Sequence, residues 1–71
     1  MPPVIQVLVN GERREFEKDT TVARLLEQLG SPPERVAVEL NLRILDKQDF
    51  PLTVLNDGDR LEIINFVGGG V

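Results

Sequence analysis

The chain has 71 residues, a formal net charge of −4, and neither cysteine nor histidine. This length suits one small domain with a modest core and leaves no room for a second domain. Without cysteine the chain can form no disulfide bond and no thiolate metal site, and without histidine it lacks the commonest catalytic base. The acidic balance argues against nucleic-acid binding, which depends on basic side chains that neutralise phosphates, and favours basic protein partners.

The composition also argues against an enzyme and against a membrane protein. The only serine, Ser31, lies between a glycine and a proline, and no base accompanies it, so the usual nucleophile and base pairs are absent. We therefore expect a partner or co-substrate of enzymes. No apolar run approaches the ~20 residues of a membrane span, and the first residues lack the layout of a secretion signal. The expected location is the cytoplasm.

The first segment predicts a β-hairpin. Residues 4–10 alternate between apolar side chains on one face and mixed side chains on the other, which is typical of a half-buried strand. Asn10-Gly11 tolerates positive φ at both positions and favours a tight turn, so residues 12–18 should return antiparallel to the first strand. Phe16 is the one large apolar residue of this second strand, whose many charges are typical of a sheet edge.

One amphipathic helix follows the hairpin. Its apolar residues recur at the spacing of a single helical face, and they are Val22, Leu25, Leu26 and Leu29. Thr21 can cap the N-terminal end of the helix, and Gly30 stands where a left-handed C-terminal cap is expected. Pro32 and Pro33 prevent the helix from continuing.

The second half of the chain predicts two short strands, a loop and a final strand. Residues 36–41 alternate as a third strand, and residues 42–45 can return as a fourth, with Asn41 in the bend. Between residues 46 and 56 the pattern is a polar loop. Its three apolar residues are expected to close the open end of the core, and they are Phe50, Leu52 and Leu55. The final strand covers residues 60–67.

Two aspartates, Asp57 and Asp59, flank Gly58 just before the final strand. Acidic oxygens in a loop can bind calcium, but the twelve-residue loop with a distal glutamate that such a site needs is missing. Asn56 to Asp59 is therefore interpreted as a tight turn, and no metal site is predicted.

The order of hairpin, helix, strand pair and strand predicts an α+β fold of the β-grasp, or ubiquitin-like, type. In it a single helix covers one face of a mixed sheet of four to five strands. A right-handed crossover would place the last strand beside the first and parallel to it. The domain should span residues 1–67, and residues 68–71, which contain three glycines, should form a flexible tail.

One face of this sheet is expected to remain uncovered. The residues expected to point at the helix are Val7, Val36, Val38, Leu61 and Ile63. The opposite face would then carry four apolar residues, Leu8, Ala37, Ile64 and Phe66. An open apolar surface on a small domain usually marks an interface, so these four residues are candidates for partner docking. The alternative is that Leu8, Ile64 and Phe66 bury one another or turn inward at a bulge.

Several short motifs, taken together, resemble the ThiS family of sulfur carriers in thiamine biosynthesis. In chain order they are Val9-Asn10-Gly11-Glu12, Thr20-Thr21-Val22 leading into Leu25-Leu26, residues 36–41, Asp57-Gly58-Asp59, Glu62-Ile63, and the closing residues 66–70. The sister family, MoaD, the small subunit of molybdopterin synthase, shares the fold and the terminal diglycine. Its chains are usually longer, so the short length here favours ThiS.

The resemblance implies a protein that binds no cofactor and whose working group is its C-terminal carboxylate. Gly69 and Gly70 would carry the chemistry, with Gly68 as a spacer. An activating enzyme like ThiF, related to ubiquitin-activating enzymes, would use ATP and Mg²⁺ to form an acyl-adenylate at the terminal glycine. Sulfur from a persulfide on a sulfur donor enzyme would replace AMP and leave a thiocarboxylate. A thiazole synthase like ThiG would receive that sulfur.

The last residue departs from the family pattern, because Val71 follows Gly70. Either a protease removes Val71 first, or the tail is not activated, or Val71 is foreign to the natural chain. Other readings of the whole chain also stay open. They are a sulfur carrier for molybdopterin or cysteine, a ubiquitin-like modifier joined to lysines, and a β-grasp interaction module with an inert tail.

Overall fold

The computed structural model describes residues 3–66, which form a five-stranded sheet with an α-helix packed against one face. The strands are β1 (Val4–Val9), β2 (Glu12–Glu17), β3 (Val36–Leu40), β4 (Arg43–Ile44) and β5 (Arg60–Asn65). The helix is α1 (Val22–Leu29), and two short 3-10 helices cover Pro33–Arg35 and Lys47–Leu52. The predicted combination of a mixed sheet and one covering helix is confirmed in these residues.

The last strand lies in the middle of the sheet. The spatial order is β2-β1-β5-β3-β4, so β5 separates the first hairpin from the second. It runs parallel to β1, with Val9 opposite Leu61, and antiparallel to β3, with Val38 opposite Ile63. The prediction that the last strand lies beside the first and parallel to it is therefore confirmed.

Two tight turns of the same kind close the two hairpins. Asn10 and Gly11 have φ of 50° and 84°, and the predicted first hairpin is confirmed. Asn41 and Leu42 have φ of 51° and 70° between β3 and β4, although a bulky leucine rarely adopts the left-handed region. The predicted fourth strand, residues 42–45, is shorter than expected, because Leu42 belongs to the turn and β4 ends at Ile44.

Helix α1 begins and ends where its caps were predicted. The Thr21 side chain accepts a hydrogen bond from the backbone N–H of Arg24 at 3.1 Å. Gly30 has φ of 70°, and its N–H donates to the carbonyl of Glu27 at 3.1 Å. Both ends thus satisfy backbone groups that a helix leaves without partners inside the helix.

The core lies between α1 and one face of the sheet. Its buried apolar residues are Ile5, Val7, Val9, Phe16, Val22, Leu25, Leu26, Val36, Val38, Phe50, Leu55, Leu61 and Ile63. All five residues expected to point at the helix are among them. Leu29, the last apolar residue of the helical stripe, is only partly buried against this cluster.

The segment before β5 corrects the sequence prediction. Phe50 and Leu55 are buried as expected, but Leu52 is 76% exposed and does not close the core. Successive residues of the 3-10 helix Lys47–Leu52 are rotated by about 120° around its axis. Phe50 and Leu52 are two positions apart, so their side chains point in different directions. The segment also has more regular secondary structure than the predicted polar loop, because it contains this 3-10 helix and Val54 forms an antiparallel bridge with Thr21.

Candidate functional site

The sheet face opposite α1 carries apolar residues that remain exposed. Ile64 is 49% exposed and Phe66 is 53% exposed. Ile64 is near the C-terminal end of the central strand β5, and Phe66 follows that strand directly. They therefore do not bury one another, and no inward bulge removes them from the surface.

Three of the four predicted docking residues lie together, and the fourth lies apart. Ala37 on β3 is directly opposite Ile64 on β5, and Phe66 follows on the same face. We call Ala37, Ile64 and Phe66 the tail-end patch. Leu8 is instead opposite Arg60, four residues before Ile64 along β5, which corresponds to about 13 Å. Leu8 is thus part of the open face but not of the tail-end patch.

An acidic pair lies next to the tail-end patch. Glu39 on β3 is directly opposite Glu62 on β5, so the two carboxylates share the open face. Among the ion pairs of residues 3–66, neither glutamate takes part. Like charges in directly opposite positions destabilise a sheet, so the folded chain tolerates a repulsion at this point.

Asparagine side chains hold β5 at both of its ends. At the start, the Oδ1 atom of Asn41 accepts from the N–H of Arg60 at 3.0 Å. Near the end, the Oδ1 atom of Asn10 accepts from the N–H of Ile63 at 2.7 Å, and its Nδ2 atom donates to the carbonyl of Ile63 at 3.3 Å. The sequence identified both asparagines as turn residues but did not reveal these contacts.

The turn Asn56 to Asp59 connects β5 to β1 through its backbone and carboxylates. The Oδ1 atom of Asp57 accepts from the N–H of Gln6 at 2.8 Å, and Gly58 N–H donates to the Gln6 carbonyl at 2.8 Å. The Oδ2 atom of Asp59 accepts from the N–H of Asn56 at 2.8 Å. Among residues 3–66, no group of three or more acidic or histidine side chains could hold a metal ion.

The predicted carrier end of the chain falls outside the part that the structure describes. Gly68, Gly69, Gly70 and Val71 lie beyond residue 66, as does the predicted boundary between domain and tail after residue 67. Their roles stay predictions. None of the helices in residues 3–66 has the length and apolar character of a membrane span.

Comparison with known proteins adds a family match. The model of the ThiS family matches residues 7–70. The chain is 38% identical over 63 residues to the sulfur carrier protein ThiS of Bacillus subtilis, which covers 87% of this chain and 96% of that protein. It is 46% identical over 66 residues to a thiazole synthase of Paramagnetospirillum magneticum, covering 93% of this chain and 20% of that protein. The chain thus spans about a fifth of the length of that thiazole synthase.

A solved structure supports the same assignment. The crystal structure of the thiamine biosynthesis protein ThiS from Geobacter metallireducens superposes with a TM-score of 0.79 at 35% identity. The match covers 93% of this chain and all of that chain. It confirms the predicted α+β β-grasp fold. Since both the family model and this structure match nearly the whole chain, the protein belongs to the ThiS family.

Proposed function

We propose that the chain is a sulfur carrier whose C-terminal glycine becomes a thiocarboxylate, and that it is not itself an enzyme. The observation that carries this proposal is the family match over residues 7–70, which includes Gly68, Gly69 and Gly70 as well as the folded body. The relative in Bacillus subtilis is named a sulfur carrier protein and matches over 96% of its own length.

The proposed chemistry needs an activated carboxylate. The carboxylate oxygen attacks the α-phosphorus of ATP on an activating enzyme like ThiF, with Mg²⁺ on the phosphates, and pyrophosphate leaves. A persulfide sulfur of the donor enzyme then attacks the acyl carbon, and AMP leaves with the electron pair of the broken C–O bond. A thiol must finally break the remaining sulfur–sulfur bond, which oxidises that thiol to a disulfide and leaves the thiocarboxylate on the carrier.

The folded body would serve as the surface that the activating enzyme binds. Two residues of the tail-end patch, Ile64 and Phe66, precede Gly68 by four and two positions, so a partner that covers the patch is also close to the glycines along the chain. The pair Glu39 and Glu62 beside the patch favours a partner with a basic surface, because complementary charge speeds encounter and orients docking. We therefore propose the tail-end patch as the docking site for the activating enzyme.

Thiazole synthase is the proposed acceptor of the sulfur. The relatives in Paramagnetospirillum magneticum and Magnetococcus marinus are named thiazole synthases, and the segment that matches this chain occupies 20% of each. A carrier and its acceptor joined in one chain would meet at high effective concentration. This arrangement supports thiazole formation over the molybdopterin and cysteine pathways for the present chain.

In this proposal the reacting carboxylate belongs to Gly70. Val71 is β-branched and would fit poorly in a channel that accepts glycine, so a protease has to hydrolyse the bond between Gly70 and Val71 first. Comparing two forms of the protein, one ending at Val71 and one at Gly70, distinguishes the removal of Val71 from the activation itself.

Intact-mass measurement tests the proposal. Each form is incubated with the activating enzyme, ATP, Mg²⁺ and a persulfide donor, and an incubation without ATP is the control. The form ending at Gly70 should gain the mass of one oxygen replaced by one sulfur, whereas the form ending at Val71 should not change. If the form ending at Gly70 keeps its mass while a known ThiS protein is converted, the chain is not a sulfur carrier.

A further inference from the structure

We infer that Asn10 fixes the end of β5, from which the C-terminal residues continue, and that it is a positioning residue for the reaction proposed at Gly70. The expected effect on the reaction rests on the proposed function, whereas the contact between Asn10 and Ile63 does not. The carboxamide of Asn10 binds both backbone groups of Ile63, a residue 53 positions later in the chain.

The contact lies just beyond the end of β1, where β5 loses its neighbouring strand on that side. The parallel pairing of β1 and β5 stops with Val9 opposite Leu61, and the chain then turns away at Asn10. The last backbone bond of this ladder runs from the N–H of Asn10 to the carbonyl of Leu61 at 2.9 Å. Without a substitute, the next backbone groups on this side of β5, those of Ile63, would have no neighbouring strand.

The side chain of Asn10 supplies that substitute. A carboxamide has the same acceptor and donor as a peptide group, and here it accepts from the Ile63 N–H and donates to the Ile63 carbonyl. Both hydrogen bonds are partly buried, which makes them stronger than exposed ones and costly to leave unmade. Asn10 therefore adds one further pair of hydrogen bonds to β5 on the β1 side.

The other side of β5 is held by a regular ladder. β3 pairs with β5 as far as Val36 opposite Asn65, and the N–H of Phe66 donates to the Arg35 carbonyl at 2.9 Å. Removing the Asn10 carboxamide would leave the end of β5 held from the β3 side alone. The strand end would then behave as a sheet edge, and the positions of Ile63 to Phe66 would be less well defined.

Asn41 is a matched control for Asn10. Both residues occupy the first position of a two-residue hairpin turn, with φ of 51° and 50°, and both accept a hydrogen bond from a backbone N–H of β5. Asn41 binds Arg60 at the start of the strand, whereas Asn10 binds Ile63 near its end. The Asn41 bond is exposed and the Asn10 bonds are partly buried, so the two variants can lose different amounts of stability. A purely stabilising role predicts no loss of kcat in either variant while it is folded, whereas a positioning role predicts a loss in Asn10→Gly alone.

The experiment compares Asn10→Gly with Asn41→Gly in the form ending at Gly70, because glycine tolerates the positive φ at both positions. Amide exchange at Ile63 should be about tenfold faster in Asn10→Gly than in Asn41→Gly, since the lost bond protected that N–H. The kcat of adenylation should fall about tenfold in Asn10→Gly, because the tail reaches ATP in fewer productive orientations. The KM should change little, since β3 still holds Ile64 and the Arg35 carbonyl still holds Phe66.

Asn10→Asp provides the conservative rescue. Its carboxylate can still accept from the Ile63 N–H but cannot donate to the carbonyl, so kcat should lie between those of the native chain and Asn10→Gly. Equal losses of kcat in Asn10→Gly and Asn41→Gly would overturn the positioning role. Unchanged exchange at Ile63 in Asn10→Gly would overturn the structural role as well. If the native chain is not adenylated at all, the proposed function fails, and the exchange measurement still decides whether Asn10 holds the strand.

Discussion

The two faces of the sheet use apolar residues from the same strands in different ways. On the face that packs against α1, Val38 and Ile63 are directly opposite each other and buried. On the other face, their neighbours Ala37 and Ile64 are also directly opposite each other, yet Ile64 is 49% exposed. The strand alternation alone creates both surfaces, and the single helix decides which of them becomes core.

This difference separates stability from recognition. Burial on the α1 face provides most of the free energy that holds a domain of this size, so changes there should unfold it. The open face contributes little to folding, so its apolar side chains can be selected for contact with partners. Substitutions on the two faces should therefore give separable effects.

The largest expected effect is a loss of stability from a substitution in the core between the sheet and α1. Leu25→Ala should lower the free energy of unfolding by about 2–5 kcal/mol, because Leu25 is fully buried under the sheet and its removal leaves a cavity. Urea denaturation followed by circular dichroism measures the change. Leu52→Ala is the matched control, and it should stay within about 0.5 kcal/mol of the native chain because Leu52 is exposed. Similar losses in the two variants would contradict this description of the core.

The second prediction concerns the tail-end patch. Phe66→Asp should leave the free energy of unfolding nearly unchanged but weaken binding to the activating enzyme by at least about tenfold, because an aromatic contact is replaced by a charge. Calorimetric titration of the enzyme with each form measures this affinity.

Leu8→Asp sharpens the same comparison within the open face. Leu8 lies beside Arg60, away from the patch, so the binding loss should be smaller than for Phe66→Asp. An equal loss in Leu8→Asp would mean that the docking surface covers the whole open face, and unchanged binding in Phe66→Asp would remove the tail-end patch from it.

The third prediction concerns the acidic pair. Glu62→Gln should raise the free energy of unfolding by about 0.2–1 kcal/mol, because it removes a repulsion with Glu39 directly across the strand pair. If the partner surface is basic, the same change should slow association and weaken its dependence on salt concentration. Stopped-flow mixing at two salt concentrations tests this, and an unchanged association rate would argue against a basic partner.

The smallest expected effect is in the second hairpin turn. Leu42→Gly should raise the free energy of unfolding by roughly 0.5 kcal/mol, since glycine removes the cost of a left-handed leucine but adds entropy to the unfolded chain. Thermal unfolding compares the two proteins. A clear loss of stability would show that the exposed Leu42 side chain makes contacts that outweigh its backbone strain.

The sequence predicted best the features that depend on neighbouring residues. Alternation within a strand assigned Val7, Val38 and Ile63 to the α1 face, because the backbone turns each side chain to the side opposite its neighbour. The caps of α1 were equally predictable, because Thr21 and Gly30 act on groups within a few residues of themselves.

Features that depend on distant residues were not predictable in this way. The parallel register that places Leu8 opposite Arg60 joins segments about fifty positions apart, and no local pattern determines it. The contact between Asn10 and Ile63 has the same origin. Leu42 was wrongly assigned to the fourth strand for a different reason, because a turn of this type normally carries glycine, whereas this chain places leucine there.

The position of β5 has a consequence for how the protein is made. Within residues 3–66, β5 is the last strand to be synthesised, yet it joins β1 to β3, so the ribosome must deliver residue 65 before the two hairpins can become one sheet. Until then neither an intact α1 face nor an intact open face exists. A partner enzyme that recognises the open face would consequently bind only chains in which β5 has joined the sheet.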